Sequence, residues 1–140
     1  MGEWKKADGS AVTEDDLKGK VAFVYLITEL STGKKYVGKK RLTIKKTRPP
    51  LKGKKRKRVS RVESDWKTYY GSNETLRGLV EKNGEDNYER IMLHFCSSLG
   101  EASYHEAREQ FVREVLVRDD YFNDWIYVKV RRSHLRKETR

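Results

Sequence analysis

Two tyrosines, Tyr25 and Tyr36, stand eleven residues apart in segments that read as paired strands, and a run of positive charge begins three residues after the second. Cross-strand neighbours lie about 5 Å apart, which brings both phenol hydroxyls within reach of one phosphate. A free phenol ionises near a pH of about 10, so acid–base work near neutrality requires a neighbouring cation or metal to lower it. Glu106 and Glu109 lie one helical turn apart on what reads as a long helix. His94, Cys96 and His105 do not have metal-ligand spacing and read as ordinary strand and helix residues, Cys96 as a small buried hydrophobe. His105 is also placed to act as a nearby base.

The charge indicates what these groups would meet. Thirteen basic and no acidic residues lie between Lys39 and Arg61, more positive charge than the +11 of the whole 140-residue chain. Lys129, Arg131, Arg132, Arg136, Lys137 and Arg140 form a second cluster, opposed only by Glu138. The remainder is therefore mildly acidic, a pattern suited to a polyanion and above all to nucleic acid. Lys45, Lys46, Arg48, Lys52, Lys54, Lys55, Arg56, Lys57, Arg58 and Arg61 are the expected nucleic-acid contacts. Interleaved with Pro49-Pro50 and Gly53, they should grip phosphates rather than base edges. The stretch lacks the apolar face of a membrane-surface helix. The longest apolar run, Val21 to Ile27, is far short of the roughly 20 residues of a membrane span. One cysteine excludes an internal disulfide, and no apolar leader follows the N-terminus, so a cytoplasmic, reducing location is expected.

The elements that must position these residues follow from periodicity. Residues 1–20 are polar and turn-rich and read as a mobile arm. Val21–Leu30 reads as a strand with Phe23, Tyr25 and Ile27 on one face, followed by a turn at Ser31-Thr32-Gly33 and a second strand from Lys35 to Gly38. The basic segment 39–61 reads as a loop insertion. A short helix is expected over Asn73–Lys82, capped by Ser72 and stopped at Gly84, and a third strand over Tyr88–Cys96. Ser98 and Glu101 form a capping box for a long helix with Ala107, Phe111, Val115 and Leu116 buried, ended by Asp119-Asp120. Trp125–Val130 reads as a last strand before a basic tail, 131–140. The whole is α+β, one small, mostly antiparallel sheet flanked by helices over 21–130.

Val24-Tyr25 followed by Tyr36-Val37-Gly38 resembles the two-part signature of the GIY-YIG nuclease family, with Phe23-Val24 where Gly-Ile is usual. Later landmarks are also in order: Tyr70-Gly71-Ser72 before a helix, glutamates on a long helix, and Tyr121-Phe122-Asn123. The chain is similar to small stand-alone phage-type endonucleases over roughly residues 21–128, which would place it in the host cytoplasm.

The resemblance implies hydrolysis of DNA phosphodiester bonds, double-stranded or branched, with one divalent metal (Mg²⁺ or Mn²⁺) and no other cofactor. Tyr25 and Tyr36 would position or deprotonate the water, and Glu106 would hold the metal, with Glu109 the alternative. Asn123 would brace the site. Lys40 and Arg41 are the nearest cations to the second tyrosine and the candidates for stabilising phosphorane charge, while Arg48 or Arg61 could instead fold back. Tyr70 or Ser72 would reach the phosphate from a helix start. Trp66 and Tyr69 read as core, with base stacking as their alternative. Oligomeric state is left open. A non-catalytic nucleic-acid-binding module on the same fold is the alternative function.

Overall fold

The computed structural model describes residues 3–135. Its elements are β1 (Trp4–Lys6), α1 (Glu14–Leu17), β2 (Ala22–Glu29), β3 (Lys35–Arg41), β4 (Thr43–Arg48), β5 (Arg58–Glu63), α2 (Glu74–Asn83), β6 (Tyr88–Cys96), α3 (Leu99–Val112) and α4 (Arg132–Leu135). Among the described residues no helix is long and apolar enough to cross a membrane.

The α+β architecture expected from periodicity is present. Four strands form one sheet in the order β1-β6-β2-β3, with β2 antiparallel to both β3 and β6, and β1 parallel to β6. Central strand β2 is buried on both faces. Phe23, Tyr25 and Ile27 enter a core with Trp4, Leu76, Tyr88, Met92 and Phe122, while Ala22, Val24 and Leu26 enter a second core with Val37, Cys96, Ala102 and Val115. Two-sided burial of a central strand is why it reads as a near-continuous apolar run. Helix α2 begins at Asn73, whose side chain accepts from the Leu76 N–H, so Asn73 rather than Ser72 is the cap. Helix α3 is capped by Ser98 as expected.

Four further expectations are corrected. In place of a mobile arm, Trp4 is buried within the first core, 5.0 Å from the Phe23 ring, and its indole donates to the Trp66 carbonyl. One aromatic anchor outweighs the polar residues around it, because burying a large side chain contributes about 1.5–3 kcal/mol. The basic loop is instead a hairpin, β4 paired with β5 as a separate two-stranded sheet. Helix α3 stops at Val112 and buries Ala102, Ala107 and Gln110, small or polar residues that let it lie close against the sheet; Phe111 points outward, 62% exposed. The last strand does not form. Residues 120–122 take the outer edge of β3 instead, through Lys35 N–H to the Asp120 carbonyl and Phe122 N–H to the Lys35 carbonyl, and Trp125 and Tyr127 are left exposed. Of the basic tail, Arg136, Lys137 and Arg140 lie outside the described residues.

Candidate active site

The outer edge of β3 carries a cleft of about 570 Å³ lined by Tyr36, Lys39, Ser72, Glu106, Gln110 and Asn123, with Trp125 and Tyr127 at its rim. Elements from both faces of the sheet meet there: Tyr36 from the α2 side, Lys39 and Glu106 from the α3 side. Tyr36 Oη lies 2.9 Å from Ser72 Oγ. Partial burial raises the Tyr36 phenol above its ordinary value, and the Ser72 hydroxyl opposes that shift only in part.

Tyr25 is fully buried behind the cleft, its ring centroid 6.2 Å from that of Tyr36 and 5.9 Å from that of Tyr69. Desolvation pushes its phenol well above the ordinary value, and the nearby Tyr69 and Tyr36 hydroxyls push the same way. This is the opposite direction from the lowering that acid–base chemistry would require. Tyr25 pairs across the ladder with Gly38, over which its ring lies. A methyl group added at Gly38 would stand 2.6 Å from Tyr25 Cζ and 3.0 Å from Tyr36 Cε2. The glycine of Tyr36-Val37-Gly38 thus seats both tyrosines.

Asn123 is buried and clasps the outer edge of β3 at Val37, beside Tyr36. Its Oδ1 accepts from the Val37 N–H at 3.0 Å and its Nδ2 donates to the Val37 carbonyl at 2.8 Å, which Gln110 Nε2 also reaches at 3.1 Å. The side-chain amide replaces the neighbouring strand that β3 lacks on this edge, and meets the requirement that buried backbone groups be paired.

The two glutamates have different surroundings. Glu106 opens on the cleft with Lys39 Nζ 3.7 Å away, and Lys39 also donates to Ser103 Oγ at 2.7 Å. Burial raises the Glu106 carboxyl above its ordinary range, the Lys39 charge opposing but not cancelling it. Glu109 faces elsewhere and is fully engaged, with His94 Nε2 at 2.7 Å and Arg113 Nε at 2.8 Å. Burial works against its ionisation, yet these two partners hold it below the usual carboxylate range. His105 stacks on His94 at 4.4 Å, where burial and then the second imidazole lower its affinity for a proton.

The remaining candidates disperse. Lys40 bridges to Asp65 and lies 4.0 Å over the Tyr69 ring; Arg41 is exposed at the end of β3, and neither lines the cleft. Tyr70 is packed under the Arg90 guanidinium, 4.1 Å above its ring, and Trp66 packs against the first core. Arg61 donates to Thr43 and Arg58 to the Pro49 carbonyl, both within the hairpin rather than at the cleft. Residues Lys45, Lys46, Arg48, Arg58 and Arg61 stand on β4 and β5, and Lys52, Lys54, Lys55, Arg56 and Lys57 on the connection between them, all exposed. Lys39 was missed because it is the neighbour of a chosen lysine. Strand alternation carried the signal: Lys39 shares a face with the apolar Val37, hence with α3, and Lys40 does not.

Among the described residues no three His, Cys, Asp or Glu side chains gather into a metal-binding cluster. The donors at the cleft are oxygens, the Glu106 carboxylate with the Tyr36 and Ser72 hydroxyls beside it. They suit a hard divalent cation that keeps most of its water.

A family model described as "Putative endonuclease segE, GIY-YIG domain" matches residues 4–126. No curated protein and no solved structure matches the chain. The match takes in the buried Trp4 at one end, both tyrosine strands, α3 and Asn123, and on that extent the chain belongs to the GIY-YIG nuclease family.

Proposed function

We propose that the chain is a metal-dependent DNA endonuclease that hydrolyses phosphodiester bonds at the β3-edge cleft. The observation that carries this reading is the meeting of a half-withdrawn carboxylate, Glu106, with the Tyr36 hydroxyl and the Lys39 ammonium in one cleft beside a strongly basic hairpin. Hydrolysis requires a water aligned behind phosphorus, charge stabilisation as the P–O bond forms, and departure of the 3′-oxygen, with the proton that the water loses passing to solvent and the released 3′-oxygen taking one up from it. Tyr36, an un-ionised phenol at neutral pH that burial only raises further, orients the water by hydrogen bonding, with Ser72 fixing its hydroxyl. Lys39 supplies positive charge toward a phosphate oxygen and keeps Glu106 aimed into the cleft. Glu106 would hold the divalent metal, which when bound supplies Lewis-acid charge to the phosphoryl group. Tyr25 acts from behind, as the support on which Tyr36 rests, and Asn123 holds the β3 backbone beside Tyr36.

The test is a plasmid-nicking assay with Mg²⁺ or Mn²⁺, a chelator control, and Tyr36→Phe and Glu106→Gln proteins. Loss of supercoiled plasmid should require metal and fall in both variants. Full activity in both, or activity in chelator, would discard the reading. A non-catalytic DNA-binding module is favoured by one observation: among the described residues no arginine lines the cleft, and its lysine is already engaged by Glu106 and Ser103. It predicts plasmid that shifts on a gel but stays intact on branched and linear substrates alike.

A further inference from the structure

We infer that the β4–β5 hairpin enters the major groove of double-stranded DNA and holds the duplex against the cleft, an inference that takes its partner's class from the reading above. Residues 43–63 carry ten basic side chains against Glu63 alone, and every residue from Ile44 to Arg61 is exposed. A two-stranded ribbon that buries neither face is marginal in water. This one is further burdened by two like-charged pairs directly across the ladder, Lys45 with Arg61 and Arg48 with Arg58. Such pairs repel. A polyanion relieves the repulsion, whereas a second copy of the same ribbon would add to it, which argues against a dimerisation arm.

The dimensions select the kind of polyanion site. Two strands stand about 4.8 Å apart, and six residue pairs extend about 20 Å. A ribbon with its side chains fits a groove about 12 Å wide and not one about 6 Å wide. Exposed Ile44, Thr47, Val59 and Ser60 are interspersed among the charges, so the ribbon offers groups for base edges as well as for phosphates. The expectation of pure backbone contact belonged to a loop; an ordered ribbon presents both.

The root of the hairpin is tied to the active sheet. Leu42 is buried, its carbonyl accepts from the Ser64 N–H at 2.9 Å, and Ser64 Oγ donates to the Arg41 carbonyl. From Lys39 in the cleft to Thr43 at the start of β4 is four residues, at most about 14 Å of chain. A duplex seated on the ribbon therefore runs past the cleft.

Binding is measured in chelator, by fluorescence anisotropy on a duplex of about two helical turns and on one of its single strands. The duplex should bind more tightly, methyl green, a major-groove ligand, should displace the protein, and netropsin, a minor-groove ligand, should not. Guanine N7 atoms should be shielded from dimethyl sulfate. Lys45→Ser/Arg61→Ser should weaken duplex binding about tenfold and lower the salt slope by about 2. Displacement by netropsin alone, single strands binding as well as duplex, or an unchanged double variant would overturn the proposal. Should that variant misfold, competition and N7 protection on the unaltered chain decide alone. A chain that binds through the major groove but never cuts removes the nuclease reading and leaves this one. A chain that cuts yet ignores methyl green does the reverse.

Discussion

The two sheets obey opposite rules. The four-stranded sheet is covered on both faces, so nearly every residue of β2 is specified by what it packs against, and even the candidate Tyr25 is locked against Gly38 by contact. The β4–β5 ribbon is covered on neither face, so no core specifies its side chains, and in our proposal a DNA partner does. Substitutions in the first sheet should therefore cost stability, whereas substitutions in the second should cost binding and spare the fold.

The sharpest break in that pattern is expected at Glu106, a site residue in the covered region that costs stability rather than adding it. Its carboxyl is raised in the folded chain, so the unfolded chain releases that proton first, and above the unfolded value the group favours unfolding. Glu106→Gln should lower cleavage by about 10²-fold or more while leaving the neutral-pH Tm unchanged or higher. Cleavage by the unaltered chain should rise with pH through a range above that of an ordinary carboxylate, which a pH–rate profile would read.

Asn123→Ala should follow, at about 1–3 kcal/mol in urea unfolding, because it leaves the buried Val37 N–H without its acceptor. Asn123→Asp, which keeps that acceptor but loses the donor to the Val37 carbonyl, should not rescue it. An equal stability for all three proteins would show that the clasp is not what holds the edge of β3. Gly38→Ala should cost about 1–3 kcal/mol by overpacking against both tyrosine rings, and should reduce cleavage along with stability.

At the small end, Phe111→Ser on the exposed side of α3 should stay within about 0.5 kcal/mol. On the ribbon, Lys45→Ser/Arg61→Ser should leave the Tm level or slightly raised, since it removes a like-charged pair. A large drop in Tm would mean that the ribbon is packed in solution, and would erase the contrast between the two sheets.

Much of this was legible along the chain. Strand β6 falls over Tyr88–Cys96 as its alternation indicates, α2 ends at Gly84, which takes a positive φ of 89°, and Ser98 caps α3. These are local signals, read within one turn or one strand. Trp4 was not legible, because a lone aromatic among charges carries no period and its partners lie about 20 to 60 residues away. The end of α3 was misread because Phe111 and Leu116 look like core beside Val115, while the close approach to β2 and β3 favours Ala102, Ala107 and Gln110.

The sequence by itself determined which residue types would be available: two tyrosines on paired strands, carboxylates one turn apart, an asparagine near the end, and a basic segment suited to a polyanion. Only the tertiary structure decided which of them meet. It set Glu106 in the cleft and gave Glu109 to His94 and Arg113, chose Lys39 over Lys40, and hid Tyr25 behind Tyr36. Spacing along a helix or strand specifies a residue's face only relative to its own element. Which face looks into the cleft depends on the neighbour that covers the other one, and that neighbour is distant in the chain.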